Sequence, residues 1–410
     1  MSVFSFLKRV CREETTVIFY MGSSSVAGAI VQFQNGSVPK ILFTVSEQIS
    51  LTEQPTSKKF LSLMMDALDA TAQKIHKSGL ARLSLRAQKN IFNIKNIHCV
   101  FSSPWYISQT KNISVTHDKP FTITPAFLES LVEKEGITTE KGSVKTIPIQ
   151  TPTKGSVVME KRVMQVSING YKIQNPEKYT TNKADVSLFI SKTSHDIPAK
   201  VESAIRKHFH FHNIQYHSFA LVVFNALRDM QNTGRNFLAV DVGGEVTDIA
   251  VIKDDIILES VSFPIGKNTL FRTVSEELGM TPDLALSMIK MFGEGRLEKG
   301  QSLKVESLLS AFEKTWLKNF HTSLSEISQT MVIPKKVFLT ASKNISGLFF
   351  NFIKKEKYSD FIPVQDNFVV IQLNEEQLHS VCSYDPKAAQ DPFLALEAIF
   401  IDKIRGNKHI

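Results

Sequence analysis

A chain of 410 residues, 42% hydrophobic and 21% charged, is long enough for two cores and too evenly composed for a fibrous or disordered protein. No apolar run approaches the ~20 residues of a membrane-spanning helix, and the three cysteines (Cys11, Cys99 and Cys382) stand far apart without metal-ligand spacing, as structural thiols of a reducing compartment would. The net charge of +8 is spread along the chain without a nucleic-acid-binding pattern; it points to acidic partners or an anionic membrane face, and no nucleic-acid partner is expected.

The N-terminus, Met1-Ser-Val-Phe-Ser-Phe-Leu-Lys8-Arg9-Val-Cys11-Arg12, is not a secretory signal, because its basic residues follow a short apolar stretch instead of preceding it. A cytoplasmic protein is expected. The segment itself reads equally as a weak interfacial anchor, a frayed end or a partner-binding strand.

Next comes a β-branched run with a tight small-residue loop, Thr16-Val-Ile-Phe-Tyr20-Met-Gly22-Ser23-Ser24-Ser25-Val26, continuing as Ala27-Gly-Ala-Ile-Val-Gln-Phe33. Asn35-Gly36 then marks a hairpin turn, and Phe60 to Ile75 repeats apolar residues at helical spacing. From about residue 105 to 191 lie charged helices, a polar stretch from Lys141 to Gly155, and alternating strands such as Val163 to Gly170. The chain continues through a helix from Ala199 to His208 and a strand from Tyr216 to Phe224. His208, His210 and His212 alternate; read as a strand they share one face, a solvated edge or, less well supported, a metal site lacking a carboxylate or cysteine.

The second half opens as an echo of the first. Phe237-Leu-Ala-Val-Asp241-Val-Gly243-Gly244-Glu245-Val246-Thr247-Asp248 runs on to Ile252, and Lys253-Asp254-Asp255 stands where the first copy has its hairpin turn. Laying Gly22 on Gly243, an offset of 221 residues (243 − 22), brings Ala29 to Ala250 and Ile30 to Val251. Thr269 to Leu278, closed by Gly279, forms the matching amphipathic helix. The region from 105 to 191 has no counterpart under this duplication and reads as an insertion. Phe349 to Ile353, followed by Lys354 and Lys355, reads as a helix that packs in the core or lies on a membrane surface.

Gly22-Ser23-Ser24-Ser25 and Gly243-Gly244 are loops whose N–H groups can line an anion-binding nest, with serine hydroxyls as added donors. Asp241 and Asp248 flank the second. A carboxylate there holds Mg²⁺ through water or orients an attacking water, and for Asp248 a turn or capping role is an equal alternative.

These motifs resemble those of the bacterial actin-like ATPases of the FtsA/PilM type. Asp241 to Ile252 is similar to their second phosphate motif, Met21 to Val26 to the first, and Val337 to Leu348 to the adenosine motif. Pro264-Ile-Gly-Lys267 and Thr281 to Lys290 resemble the nucleotide-side helices, and Asn169 to Pro176 a strand-turn of the FtsA-like inserted subdomain. The resemblance covers residues 15 to 400 and implies a duplicated actin-like (ribonuclease H-like) α/β fold. Two lobes would enclose a nucleotide cleft, with an inserted α+β subdomain. The implied division is 1–14, an anchor segment; 15–104, the first lobe; 105–191, the insertion; 192–235, the return; 236–370, the second lobe; and 371–410, a strand and helix going back to the first.

The resemblance implies ATP and Mg²⁺ held by Gly22, Ser23, Ser24, Ser25, Asp241, Gly243, Gly244, Thr247, Lys290 and Gly347, with Asp241 as metal and catalytic residue. The sequence departs from the pattern at several nucleotide-facing places. Tyr20 replaces an acidic residue, Glu245 a glycine, Val246 a small hydroxyl residue, Ala341-Ser342 a glycine pair, and Ser287 a glutamate. The expectation is a scaffold at the cytoplasmic membrane face that binds ATP weakly and hydrolyses it negligibly. Division or pilus inner-membrane proteins are the implied partners, with self-association into filaments and an anionic membrane surface as further contacts. The family's C-terminal anchor has no counterpart here, leaving the N-terminal segment to substitute. The alternative is an active ATPase or sugar-kinase-like enzyme.

Overall fold

The computed structural model describes residues 13–51, 56–84, 94–135, 155–210, 213–228, 230, 234–361 and 367–406. The chain opens with β1 (Glu14–Met21), β2 (Ser25–Phe33) and β3 (Lys40–Gln48), then α1 (Ser57–Lys74), a π-helical turn (Ile75–Leu80), α2 (Ala81–Ser84) and β4 (Ile94–Phe101). It leaves this lobe through β5 (Tyr106–Thr122), α3 (Pro125–Lys134), β6 (Ser156–Ile168), β7 (Tyr171–Ile173) and β8 (Thr180–Ser194). It returns through α4 (Asp196–Arg206), β9 (Asn213–Ser218) and α5 (Phe219–Arg228). The second lobe holds β10 (Phe237–Val242), β11 (Thr247–Lys253), β12 (Ile256–Phe263), α6 (Lys267–Leu278), α7 (Pro282–Gly293), α8 (Lys299–Ser328), β13 (Lys336–Ala341), α9 (Ser346–Lys355) and β14 (Val369–Gln372). A closing segment of α10 (Glu375–Leu378), β15 (Ser383–Tyr384) and α11 (Pro392–Gly406) follows.

The duplication is visible in the hydrogen bonds. One sheet runs β15-β3-β2-β1-β4-β9 and the other β12-β11-β10-β13-β14. In each, a three-stranded antiparallel meander is followed by two parallel strands. Tyr20 pairs with Ala27 and Met21 with Val26; 221 residues on, Asp241 pairs with Asp248 and Val242 with Thr247. Gly22 N donates to Ser25 O at 3.0 Å, and Gly243 N to Val246 O at 2.9 Å, closing identical turns. The hairpins also agree: Gly36 in one, and Asp254 and Asp255 in the other, adopt positive φ.

Because side chains alternate along a strand, each sheet has two different faces. Ile18, Tyr20, Ala29 and Val31 join Ala239, Ala250 and Phe338 of the other sheet in one apolar cluster, with α5 and α11 contributing from both sides. Val17, Phe19 and Met21 face α1 and α4 instead. Val240, Val242 and Val251 pack under α6, α8 and α9, around Trp316. The chain's final helix thus joins the core where the lobes meet.

The segment from Tyr216 to Phe224, expected as one strand, is the end of β9 and the start of α5. Its apolar run is buried on almost every side, so periodicity alone cannot tell strand from helix. Residues 207–210 are not a strand: His208 sits in a turn beside Asp69, with Nε2 3.2 Å from Oδ1, while His212 lies outside the described residues. Of the two readings of Phe349 to Ile353, the core helix is the one found: Phe349, Phe352 and Ile353 of α9 are buried. Cys99 and Cys382 are buried free thiols, and Cys11 falls outside the described residues, as does nearly all of the stretch from Lys141 to Gly155.

The inserted region forms a four-stranded antiparallel sheet, β5-β8-β6-β7, with α3 over a small core of Ile123, Val166, Ala184 and Val186. Glu160 of β6 ties it to the first lobe. Its carboxylate accepts from Ser191 Oγ (3.1 Å), Ser218 N (2.9 Å) and Ser218 Oγ (2.7 Å), and lies 3.0 Å from His217 Nδ1. His217 Nε2 is in turn 3.0 Å from His98 Nδ1. Burial opposes the Glu160 charge, but the bonds from His217 and Ser218 outweigh it and hold its pKa below the usual value. Burial and the neighbouring His217 bring His98 down to about 3, so that ring is neutral. On the other side Thr110 donates to Ile257 O of the second lobe at 2.6 Å. Among the described residues no helix is long and apolar enough to cross a membrane.

Candidate functional site

The two small-residue loops face each other from the tips of equivalent hairpins, and they touch. Glu245 N donates to Ser23 Oγ at 3.0 Å, and Ser23 is 1% exposed. A β-carbon placed on Gly244 would lie 2.7 Å from Ser24 Cβ and 2.8 Å from the Ser23 carbonyl carbon. Only a glycine allows this approach. The N-terminus of α6 closes the arrangement from below, where Lys267 N and Asn268 N donate to the carbonyls of Gly243 and Gly244 at 3.0 and 2.8 Å.

Each departure from the family pattern has a place. The Tyr20 ring stacks on Phe393, with centroids 4.6 Å apart, and lies across Gly22, where a β-carbon would meet its ring at 2.8 Å. Burial and the Asp241 charge push the phenol well above its ordinary pKa, so it is neutral. Glu245 points away from the cleft: Arg272 of α6 grips both its oxygens, at 2.9 and 2.5 Å, and Asn268 Nδ2 donates at 2.8 Å. Val246 and Ala341 are core residues, and Ser287 is exposed, donating to Asp283 O at 2.9 Å.

Asp241 and Asp248 are neighbours across β10 and β11 and face the first lobe. Ser102 Oγ donates to Asp241 Oδ2 at 3.1 Å, and Ser103 Oγ to Asp248 Oδ1 at 2.9 Å; Ser262 also binds Asp248. Asp241 Oδ1 is buried without a partner. Burial and the Asp248 charge drive the Asp241 carboxyl well above the usual range, against Ser102 and Lys267, and burial pushes Asp248 up to about 6.

Beside the loops opens a cavity of about 570 Å³, lined by Ser24 and Ser25 of the first lobe, Lys267 and Asn268 of α6, Ser342 and Asn344 after β13, and Asp391 before α11. Of the residues expected to hold nucleotide, Ser24 and Ser25 border this cavity. Gly22, Ser23, Gly243, Gly244 and Asp241 gather at the loop contact beside it. The others stand apart. Thr247 Oγ1 donates to Ile265 O at 2.7 Å and accepts from Trp316 Nε1 at 3.1 Å; Lys290 is exposed on α7, and Gly347 is exposed at the start of α9.

Lys267, which the sequence did not single out as a site residue, lines this cavity. Its Nζ donates to Ser342 Oγ at 2.7 Å, and burial brings its pKa down to about 8 against the pull of Asp391 and Asp241. A signal was present: a lysine directly after the helix-starting Gly266 opposes the helix dipole, a placement that needs a reason.

A magnesium–triphosphate unit does not fit between the loops in this arrangement. They are in van der Waals contact, and the N–H groups of Gly22, Gly243 and Glu245 are used within and between them. The Tyr20 ring fills the space beside Gly22 where the family pattern has an acid. Among the described residues no group of three or more His, Cys, Asp or Glu side chains gathers to hold a metal.

No protein-family model matches the chain, and no curated protein matches it. Among solved structures it is similar to a chain of the PilM–PilN type IV pilus biogenesis complex, with a TM-score of 0.59 at 14% identity over 95% of this chain and 98% of that one. It is more distantly similar to the ethanolamine utilization protein EutJ from Carboxydothermus hydrogenoformans, with a TM-score of 0.44 at 10% identity over 95% and 89%. MreB 5 of Spiroplasma citri, solved bound to AMPPNP, gives 0.41 at 10% identity over 96% and 98%. With its repeated sheets, its closing helix between them and a likeness to the PilM–PilN chain over nearly its whole length, the chain has the actin-like ATPase fold.

Proposed function

We propose that this protein is a PilM-like scaffold, not an ATPase, acting at the cytoplasmic face of the cell membrane, in type IV pilus assembly in preference to division. The observation that carries the non-enzymatic half is the contact between the two loops. It leaves no gap for a β- or γ-phosphate, while the acid the family pattern places at Tyr20 is replaced by a neutral phenol. Hydrolysis in this fold calls for carboxylates on both sides of the phosphates, and only the second-lobe side, with Asp241, keeps one. ATP with Mg²⁺ is then held weakly if the loops part. The preference for pilus assembly leans on the near-complete overlap with the PilM–PilN chain.

On this reading the lobes are residues 15–104 with 192–235, and 236–370, closed by 371–410. The insertion at 105–191 meets an inner-membrane pilus protein or a second copy in a filament. Residues 1–12, which lie outside the described residues, would give weak attachment to anionic lipid. A phosphate-release assay with Mg-ATP is the first test. Turnover is expected far below the ~10 per second of a median enzyme, and a rate near that value overturns the scaffold reading. Co-purification of the intact protein from membranes of its own cells should bring down pilus-assembly proteins; recovery of division proteins instead would reassign the process.

A further inference from the structure

One face of the inserted sheet is turned to the lobes, where Glu160 and Thr110 make their bonds, and the other carries α3. Side chains alternate along a strand, so the pairing registers assign the remaining residues to a face. Lys111 of β5 lies opposite Leu188, Lys161 of β6 opposite Ile190, and Lys192 of β8 opposite Ile107 and Val158. Leu188, Ile190 and Lys192 alternate along β8 with Val186, which packs under α3. All three lysines therefore stand on the α3 face, on three adjacent strands.

Only part of their charge is answered. Lys161 Nζ donates to Val132 O and Glu133 O at the end of α3, at 2.5 and 3.1 Å, and Lys111 Nζ pairs with Glu135 Oε2 at 3.3 Å. Among the described residues Lys192 makes no hydrogen bond or ion pair; burial, and then the charges of Lys111 and Lys161, lower its pKa. Residues 136–154, outside the described residues, set Glu140 against Lys141, Lys145 and Lys154, so their composition brings no net counter-charge. The excess is one that the fold itself does not use, and it sits in a recess. The Lys111 side chain is only 16% exposed, and Lys192 is half-buried. A flat bilayer surface meets cations that project, whereas acidic side chains on an extended segment reach cations that do not. Val158, exposed beside Lys192, offers such a segment an apolar contact.

We infer that the α3 face of the inserted sheet docks an acidic segment of a partner protein, whose aspartate or glutamate carboxylates pair with Lys192 and its neighbours Lys111 and Lys161. This rests on the scaffold reading above and names where the insertion takes its partner and by what charge.

Fluorescence anisotropy of a labelled hexaglutamate peptide titrated with the full chain tests it. Saturable binding is expected, weakening at least about tenfold between roughly 50 and 500 mM salt. Lys192→Glu should weaken it about tenfold and Lys192→Gln about threefold. The second variant should melt at the same temperature as the wild type or higher, because the charge it loses is repelled in the folded state. Lys355→Glu, at an exposed position on α9, makes the same change in net charge and should leave binding within about twofold. No saturable binding, equal losses in Lys355→Glu and Lys192→Glu, or wild-type affinity in Lys192→Gln overturns the proposal. So does Lys192-dependent binding of phosphatidylglycerol vesicles without binding of the peptide, which would assign the surface to a membrane. Pilus-assembly proteins recovered equally with the wild type and with Lys192→Glu would sink this inference and leave the scaffold reading standing, whereas ATP turnover would sink that reading.

Discussion

Glu397 of α11 has no exposed surface, and neither of its carboxyl oxygens has a partner. Burial, reinforced by the Asp391 charge, raises its pKa well above 4.5, so the folded protein holds it as the neutral acid. The folded state then binds a proton that the unfolded chain releases near the ordinary glutamate value of 4.5, and stability falls as pH rises above that value. Glu397→Gln, neutral at every pH, should match the wild type near pH 4 and be progressively more stable than it toward pH 8. Denaturant melts across that range check this, and parallel curves would show that Glu397 is not the titrating group. Glu397→Met should gain about 1–3 kcal/mol at pH 7 by removing an unpartnered buried polar group. Tyr20 shows the same physics from the other side. Its stack on Phe393 turns a position the family pattern gives to a carboxylate into apolar core.

The informative elements are the two hairpins, β1–β2 and β10–β11, whose registers agree residue for residue at the 221-residue offset (243 − 22). Their tips meet because Gly244 lies against Ser23 and Ser24, and Gly266 lies under the second loop: a β-carbon there would fall 2.3 Å from Gly244 O. Gly244→Ala should therefore push the loops apart. The expected cost is about 1–3 kcal/mol of overpacking, read as a lower denaturation midpoint. An unchanged midpoint would mean that the tips separate freely. The stretch expected as a strand from Tyr216 to Phe224 makes a related point about elements. Phe219 and Leu221 to Leu227 are all buried in α5, and a short continuous apolar run of that kind fits a buried strand as well as a buried helix.

Over the whole molecule, the inserted sheet is joined to the first lobe by more than its entering and leaving strands. The Glu160 carboxylate, 3% exposed, meets His217 at 4% exposure and takes three further hydrogen bonds from Ser191 and Ser218. Removing the charge strands the imidazole and these donors in a dry interface. Glu160→Ala is expected to cost about 3–5 kcal/mol, the range for breaking a buried pair from one side. Equilibrium unfolding measures it, and a loss below ~1 kcal/mol would show that the insertion is held by its strands alone. This contact and the bond from Thr110 to Ile257 O join the inserted sheet to both lobes.

What the sequence determined by itself was everything that repeats locally: strand periodicity, the hairpin turns, the glycine loops, and through them the duplication and the actin-like fold. The same local rules foretold the left-handed Gly279 that ends α6. Tertiary structure alone decided the site. Whether Glu245 faces phosphate or Arg272, whether Tyr20 stands in the cleft or on Phe393, and whether the loops are parted or touching depend on neighbours 27 to 373 residues away (272 − 245 and 393 − 20). Side-chain direction and inter-lobe spacing are set by packing between distant segments, and no local pattern carries that information. Lys267 is the clearest case: its position at a helix start is legible in the chain, but its bond to Ser342, 75 residues away, is made only in the fold.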